Sequence, residues 1–510
     1  MDLKKVDENK DIILLNKFLY KYFFFFGIFN LVLFNSPSEN LYVIFFLISI
    51  ILFLITISKL FKDDFFCFFA QLSSIFLIIL TQLTFIVSFI LSKILYDINF
   101  ENFLNNFFFC DLKTYALANV YLSFFCLSLL FFNKIIPLEL ISGIRKKVNY
   151  INFNFKNNKL YILIITCIIV EFIYLFSGSL GSQLSGGFIV KDGEFIRNLN
   201  EYDDVTWYTQ LYYFITTFHL FLNLLFFSKK KETKSKFALG FILISLIINF
   251  LFYGFFVRRM AIQFFLIGVI FFIFFKKIKI TPKIGILSFI LFFLIFQFTN
   301  FLQTIRTTES YNLDVNKTLL QILSEGKIQE YFFKNEKSNS DRLRISSNIS
   351  KRILNNHELA SLFYFETGET KVLKGKLLLN HFIRAIPSKI FPTKHEYPIA
   401  EPLISTITNS PLYVLDTTDS FQSFSYADFG LWGLLIYPLV LNIFFLIFYK
   451  LINLRIIENS TGLFIIMLFF PMYTIRVTEI NITDWLVLLR NIIIFIIIFN
   501  FFMSEKKKKY

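Results

Sequence analysis

Two arginines, Arg258 and Arg259, stand side by side within "FYGFFVRRMAIQFF" (252–265), a stretch that is otherwise almost wholly apolar. A guanidinium is a planar fork of N–H donors that grips two oxygens of a phosphate or carboxylate at once. Such a group is costly in hydrocarbon unless it meets an anion or reaches the headgroup layer. Further arginines follow at Arg306, Arg342, Arg344, Arg352, Arg384, Arg476 and Arg490. Two aspartates, Asp419 and Asp428, bracket the polar part of "DSFQSFSYADFGLWG" (419–433). A carboxylate can take a proton from a hydroxyl or hold that hydroxyl in line. Arginines for a growing negative charge, with an aspartate for a hydroxyl, make a group-transfer set if the fold brings them to one face.

The elements that must position them are membrane helices. The chain has 510 residues, of which 56% are hydrophobic, 75 are phenylalanine and only 17% are charged. No soluble core hides that much apolar surface. Crossing a bilayer core of about 30 Å takes about 20 apolar residues. Apolar windows place about 12 spans, near 18–34, 41–58, 65–92, 115–133, 159–177, 207–227, 237–257, 260–275, 284–302, 427–449, 461–478 and 484–503. The first is too long, and too poor in small residues near its end, to be a cleaved leader. The expected fold is therefore all-α, a polytopic bundle. It divides into 1–302 (spans 1–9), a large external, partly helical segment over 303–426, and 427–510 (spans 10–12 with a basic tail).

The net charge of +15 does not indicate a nucleic-acid partner, because most lysines flank spans and set orientation. With both termini cytoplasmic, the runs around Lys4 and Lys5, Arg145–Lys147, "KKKETKSK" (229–236), "KKIK" (276–279) and the terminal "KKKK" all lie inside. No inverted arrangement separates the basic residues as well. Cys67, Cys126 and Cys167 fall in spans and Cys110 in a loop, with no disulfide or zinc spacing, and the four histidines form no ligand pattern. Within the external segment, Leu373, Leu377, Leu378, Phe382 and Ile386 recur at helical spacing. They predict an amphipathic helix on the outer leaflet or capping the bundle, ended by Pro387 and Pro392. "SGSLGSQLSGG" (177–187) reads as an external loop.

This topology puts Arg258 and Arg259 at the external tip of the hairpin between spans 7 and 8. There the bland role is snorkelling to lipid phosphates, and the functional role is an anion site suited to a lipid-linked diphosphate. Arg306, Arg384 and Arg476 share that side. Arg490 lies one to two turns into span 12, where Glu171 of span 5 or Glu479 is a possible partner.

Two segments carry a resemblance: "RAIPSKIFPTK" (384–394), with its "IP…P.K" pattern, and the "Y.DFG..G" entry to span 10 (426–433). With the many spans and the large external loop before the last few, the chain resembles the O-antigen polymerase (Wzy-type) and oligosaccharide repeat-unit polymerase family. The resemblance implies a membrane-embedded glycosyltransferase of GT-C type in the bacterial cytoplasmic (inner) membrane, acting on polyprenyl-diphosphate-linked oligosaccharides and working beside a flippase and a chain-length regulator. It implies no cofactor and no metal. "YDDV" (202–205) is the nearest acidic pair, and it is not a DxD-type divalent site.

On that reading Arg258, Arg259, Arg306, Arg384, Arg476 and Arg490 bind the diphosphate substrates, and Tyr426, with Tyr397 and Tyr413, is placed to stack on sugars. Asp419 is the acceptor base. Asp428 orients the hydroxyl or caps the helix of span 10, so Asn there keeps the cap and removes the base. His381 and Glu366 are reserve bases. The rival readings are an O-antigen ligase, which usually carries a histidine before the late "G..G" helix, and a flippase for lipid-linked oligosaccharides. A membrane acyltransferase is a third, for which His219 is the one candidate and a satisfied buried histidine the simpler account. A scaffolding protein, the fourth, leaves the external arginines without a role.

The topology is directly testable. With the native cysteines replaced, single cysteines at Ser338 and Ser410 should react with an impermeant maleimide in intact cells, or in spheroplasts where an outer membrane intervenes. Reaction only after lysis would invert the orientation.

Overall fold

The computed structural model describes residues 3–45, 99–108, 110–137, 157–177, 188–191, 194–197, 236–256, 356–364, 372–386, 390–398 and 421–453. It also describes scattered positions over 47–55, 215–226, 403–407 and 482–486, and residues 140 and 290. In chain order the elements are α1 (Leu3–Asn35), α2 (Phe100–Phe108), α3 (Leu112–Phe132), α4 (Asn157–Ser177), β1 (Phe188–Lys191), β2 (Glu194–Arg197), α5 (Lys236–Phe256), α6 (Asn356–Tyr364), α7 (Lys376–Ala385), α8 (Phe421–Phe429) and α9 (Gly433–Ile452). Apart from one hairpin the described residues are helical. Three stretches among them are long and apolar enough to cross a membrane: Asn16–Asn35, Leu112–Ile135 and Phe421–Leu451. They fall on expected spans 1, 4 and 10.

The chain divides into two compact units. One comprises Met1–Ile151, Ser338–Asn459 and Phe470–Arg490, and the other comprises Asn152–Lys337, Ser460–Phe469 and Asn491–Tyr510.

In the first unit α3 is the central post, with α1, α6 and α9 packed on it. Its start is fixed by a reciprocal cap: Thr114 N donates to Asp111 Oδ1 at 2.7 Å, and Asp111 N to Thr114 Oγ1 at 3.1 Å. Such a cap satisfies donors that a helix end otherwise leaves bare in a medium without water. The α1–α3 contact is close because Gly27 faces Ser123, where an added Cβ would sit 3.3 Å from the serine Cβ. Tyr42 ties the chain after α1 to the same post, its hydroxyl donating to Leu112 O at 2.7 Å. At the other end Asn442 of α9 donates both to Leu129 O of α3, at 3.1 Å, and to Pro438 O, at 2.8 Å.

The helix of span 10 begins at Phe421 rather than 427 and is broken once. Gly430, at φ +58°, leads a short 3₁₀ turn, Gly430–Trp432, between α8 and α9. The second glycine of the "FG..G" pattern has a steric reason: a Cβ on Gly433 would run into the Ser425 carbonyl and the Tyr121 hydroxyl. The close helix packing expected of small residues is therefore an approach of one backbone to another.

In the second unit α4 and α5 each present one buried stripe. Leu160, Ile164, Cys167 and Glu171 are buried on α4, and Ala238, Ile242, Ser245 and Asn249 on α5. Ile162, Ile165, Ile169 and Ile173 of α4, with Leu243, Ile244 and Ile247 of α5, face outward. An outer face of that kind is stable against hydrocarbon, and the polar groups are turned in where they can pair. Glu171 meets His219, whose Nδ1 lies 3.0 Å from each carboxylate oxygen. Among the described residues the partners of Glu171 are His219 and Asn249; Arg490, for which it was one possible partner, lies outside them. Asn249 Nδ2 donates to Glu171 Oε1 and to Thr216 O, each at 3.0 Å.

The strands β1 and β2 form an antiparallel hairpin in the same unit, Phe188 opposite Arg197 and Lys191 opposite Glu194. The all-helical expectation missed it. Its signal was present as Asp192-Gly193, a dipeptide suited to two-residue turns, between short runs of alternating character.

Candidate functional site

In the first unit a single carboxylate, Asp428 of the "Y.DFG..G" segment, holds the start of α7, the helix whose last turn opens the other segment that carries the resemblance. The α7 helix starts after Gly375, which sits at φ +83° and offers no capping side chain. The amides that an N-cap residue would normally bond are instead taken by Asp428 from α8. Leu377 N donates to Asp428 Oδ1 at 2.9 Å and Leu378 N to Oδ2 at 2.7 Å. The Tyr437 hydroxyl of α9 adds a third donor to Oδ2 at 2.8 Å. Asp428 is fully buried, so each of these bonds replaces one that water cannot supply.

The backbone completes the joint in the opposite direction. Leu373 N donates to Ala427 O at 2.9 Å and Gly375 N to Asp428 O at 3.4 Å, satisfying carbonyls at the C-terminal end of α8. Gly375 is required twice over, by its positive φ and because a Cβ there would lie 2.8 Å from Cζ of Phe429. Asp428 thus caps a helix, as expected of it, but the helix is α7 and not the one at whose start it was placed. Since both its oxygens accept amides, Asn at this position cannot preserve the cap. Its NH₂ would face one of two N–H donors.

The far end of α7 is closed by the "P.K" part of the other segment. Lys394 Nζ donates to Ile386 O at 3.0 Å and Arg384 O at 3.4 Å, a cation on the negative end of the helix. Arg384 Nε donates to Tyr397 O at 2.8 Å, and Asn380 Nδ2 to Pro398 O at 2.6 Å. The α7 helix therefore fixes Arg384 in place by both ends.

The buried face of α7 differs from the expected one. Leu377 is inside, as expected, but Asn380 and His381 are buried beside it while Phe382 is exposed. His381 lies under the ring of Phe424, 5.3 Å between centroids. The Thr483 hydroxyl donates to His381 O at 3.0 Å, so its oxygen accepts from His381 Nδ1–H, also at 3.0 Å. Burial pushes the imidazole down to about 3, which leaves it neutral and weakly basic at neutral pH and a poor reserve base.

Of the expected site residues, Asp428, Arg384 and Tyr426 are brought to this assembly. Tyr426 is held edge-on by Tyr121 and Phe363, at 5.5 and 4.5 Å between centroids. Arg258, Arg259, Arg306, Asp419, Arg476 and Arg490 lie outside the described residues. Tyr121, Tyr437 and Thr483 were not anticipated, and nothing in their local sequence marks them. Tyr121 bonds the Ser425 hydroxyl at 2.9 Å and donates to Gly430 O at 3.1 Å, fastening the α8–α9 break to α3. Comparison with protein-family models, with curated proteins and with solved structures found no match.

Two outcomes follow from this geometry. Asp428→Ala strands two helix amides and should cost on the order of 3 kcal/mol, against about 1 kcal/mol for Tyr437→Phe; thermal melts of the detergent-purified chain give the order. Equal losses would show that the carboxylate does not cap α7. For His381, the unfolded chain takes up a proton near pH 6.5 that the folded chain refuses until about pH 3. Its contribution is thus complete above pH 6.5 and is lost as pH falls toward 3. Melting temperature should drop more between pH 7.5 and 5 in the wild type than in His381→Asn. Parallel drops would mean that another group dominates this window.

Proposed function

We propose that the chain is a membrane-embedded polysaccharide polymerase that joins polyprenyl-diphosphate-linked oligosaccharide repeat units on the external face of a bacterial cytoplasmic membrane. One observation carries this reading. Asp428 of the "Y.DFG..G" segment binds the first amides of α7, the helix whose last turn opens the "RAIPSKIFPTK" segment, on a helix long enough to cross the membrane. An external helix bearing Arg384 is thereby anchored at a membrane mouth, where a lipid-linked sugar must present its diphosphate. The full architecture in this proposal is about 12 spans with both termini cytoplasmic and the 303–426 segment external.

In the reaction the acceptor hydroxyl attacks the anomeric carbon of the growing glycan as the bond from that carbon to the polyprenyl diphosphate breaks. The hydroxyl proton goes to Asp419. Arg258 and Arg259, with Arg384, meet the charge gathering on the departing diphosphate. Asp428, with both oxygens engaged by α7 and Tyr437, orients this machinery and takes no proton.

Deleting the gene should reduce surface glycan to single repeat units or none, with lipid-linked units accumulating; an unchanged long-chain ladder on a gel would end the proposal. In the same assay Arg258→Ala with Arg259→Ala should abolish polymer at normal abundance, and the double lysine variant should restore it only in part, since lysine keeps the charge and loses the fork. Full polymer in the double alanine variant would leave the pair as lipid anchors.

A further inference from the structure

The second unit holds a chain of polar groups that the proposed reaction does not use. Glu171, His219, Ser245 and Asn223 are all fully buried, and they stand in the order carboxylate, imidazole, hydroxyl, amide. His219 Nδ1 faces Glu171 at 3.0 Å, His219 Nε2 lies 2.7 Å from Ser245 Oγ, and Ser245 Oγ lies 2.8 Å from Asn223 Oδ1. Asn249 and His219 share Glu171 Oε1 and so hold the carboxylate in one orientation. Beside the hydroxyl, Asn223 Nδ2 is a buried donor with no partner among the described residues.

Helix association alone does not call for this set. Serine and asparagine amides hold membrane helices together without a charge, whereas a buried carboxylate carries a desolvation cost of several kcal/mol. The ordering is what an activated hydroxyl needs: a base within hydrogen-bond reach, a third group that sets the base, and a free donor next to the oxygen that attacks.

Proton accounting gives the relay two states. When Ser245 donates to Asn223 Oδ1, its oxygen accepts from His219 Nε2–H. When the hydroxyl turns to Nε2, the ring is neutral and Oγ is poised to attack. Base and acid are the two roles that one transfer cycle requires of a histidine.

We propose that Ser245, His219 and Glu171 form a serine-nucleophile relay that transfers an acyl group from a lipid ester entering from the bilayer, with Asn223 as donor to the oxyanion. The outward faces of α4 and α5 are apolar, so an ester with alkyl chains reaches the cluster from the bilayer by parting helices. In the first half, Ser245 Oγ bonds to the acyl carbon and its proton passes to Nε2. The carbon–oxygen bond of the ester then breaks, and that proton leaves on the departing alcohol. In the second half a hydroxyl compound attacks the acyl–serine, its proton passes to Nε2 and returns to Oγ, and a new ester departs. Ser245 and His219 are the catalytic residues, and Glu171 is a positioning residue. None of this depends on the polymerase reading, which the glycan ladder tests separately.

The test uses the full chain in isolated membranes and a small uncharged alkyl fluorophosphonate. The phosphorus–fluorine bond breaks, Ser245 Oγ bonds to phosphorus, and fluoride leaves as the serine proton passes to Nε2. Mass spectrometry should find the phosphonate on Ser245 of the wild type, not in Ser245→Ala, and about 100-fold more slowly in His219→Gln. A second arm needs no reactive serine: Ser245→Cys should alkylate with N-ethylmaleimide about 100-fold faster than the same cysteine combined with His219→Gln. His219-dependent modification of position 245 by either probe supports the relay. If neither probe modifies it so, the relay is overturned and the cluster is a polar clamp between helices.

Discussion

The carboxylate of Asp428 is the constraint on which α7 and the segment after it rest. The α7 helix has ten residues, too few to hold itself together in isolation. It begins at a glycine with no side chain to offer its amides. Asp428 supplies both missing bonds, and its own position is set by Tyr437 of α9 and by the break that Gly430 and Gly433 allow. Removing the carboxylate therefore undoes more than one hydrogen bond. It frees the start of α7, and with it the positions of Arg384 and His381.

The arrangement also explains why α7 buries a polar face. A helix lying on a leaflet would turn its leucines and Phe382 inward. Docked on α8, it turns in, beside Leu377, the polar residues that the 390–398 segment and Thr483 can satisfy. Asn380 finds Pro398 O, and His381 finds Thr483. Once a partner offers matching acceptors, polar groups can be buried at little net cost, and hydrophobic spacing alone no longer decides which face is inside.

The same physics organises the second unit. A carboxylate with no solvent is tolerated there because donors from other parts of the chain converge on it, as they do on Asp428. In one case the donors are mostly backbone amides of a helix start, and the product is a rigid joint. In the other they are a side-chain amide and an imidazole, which can move a proton, and a hydroxyl stands next in line. The difference in donor chemistry is what separates a structural carboxylate from one that sets a base.

What the sequence determined by itself is whatever depends on near neighbours. The membrane helices at 16–35, 112–135 and 421–451 were legible because hydropathy accumulates along one run of residues. The existence of α7 and its end before Pro387 were legible for the same reason, through helical spacing and a proline that cannot continue it. The tertiary structure alone decided who meets whom. Leu377 and Asp428 are 51 positions apart, Glu171 and His219 48, His219 and Ser245 26. No local pattern links such residues, so Asp428 was assigned to the helix that follows it and His219 was left without a named partner. A hydrogen bond is satisfied in space by whichever donor the packing brings within about 3 Å, and packing follows from the way the helices of each unit meet.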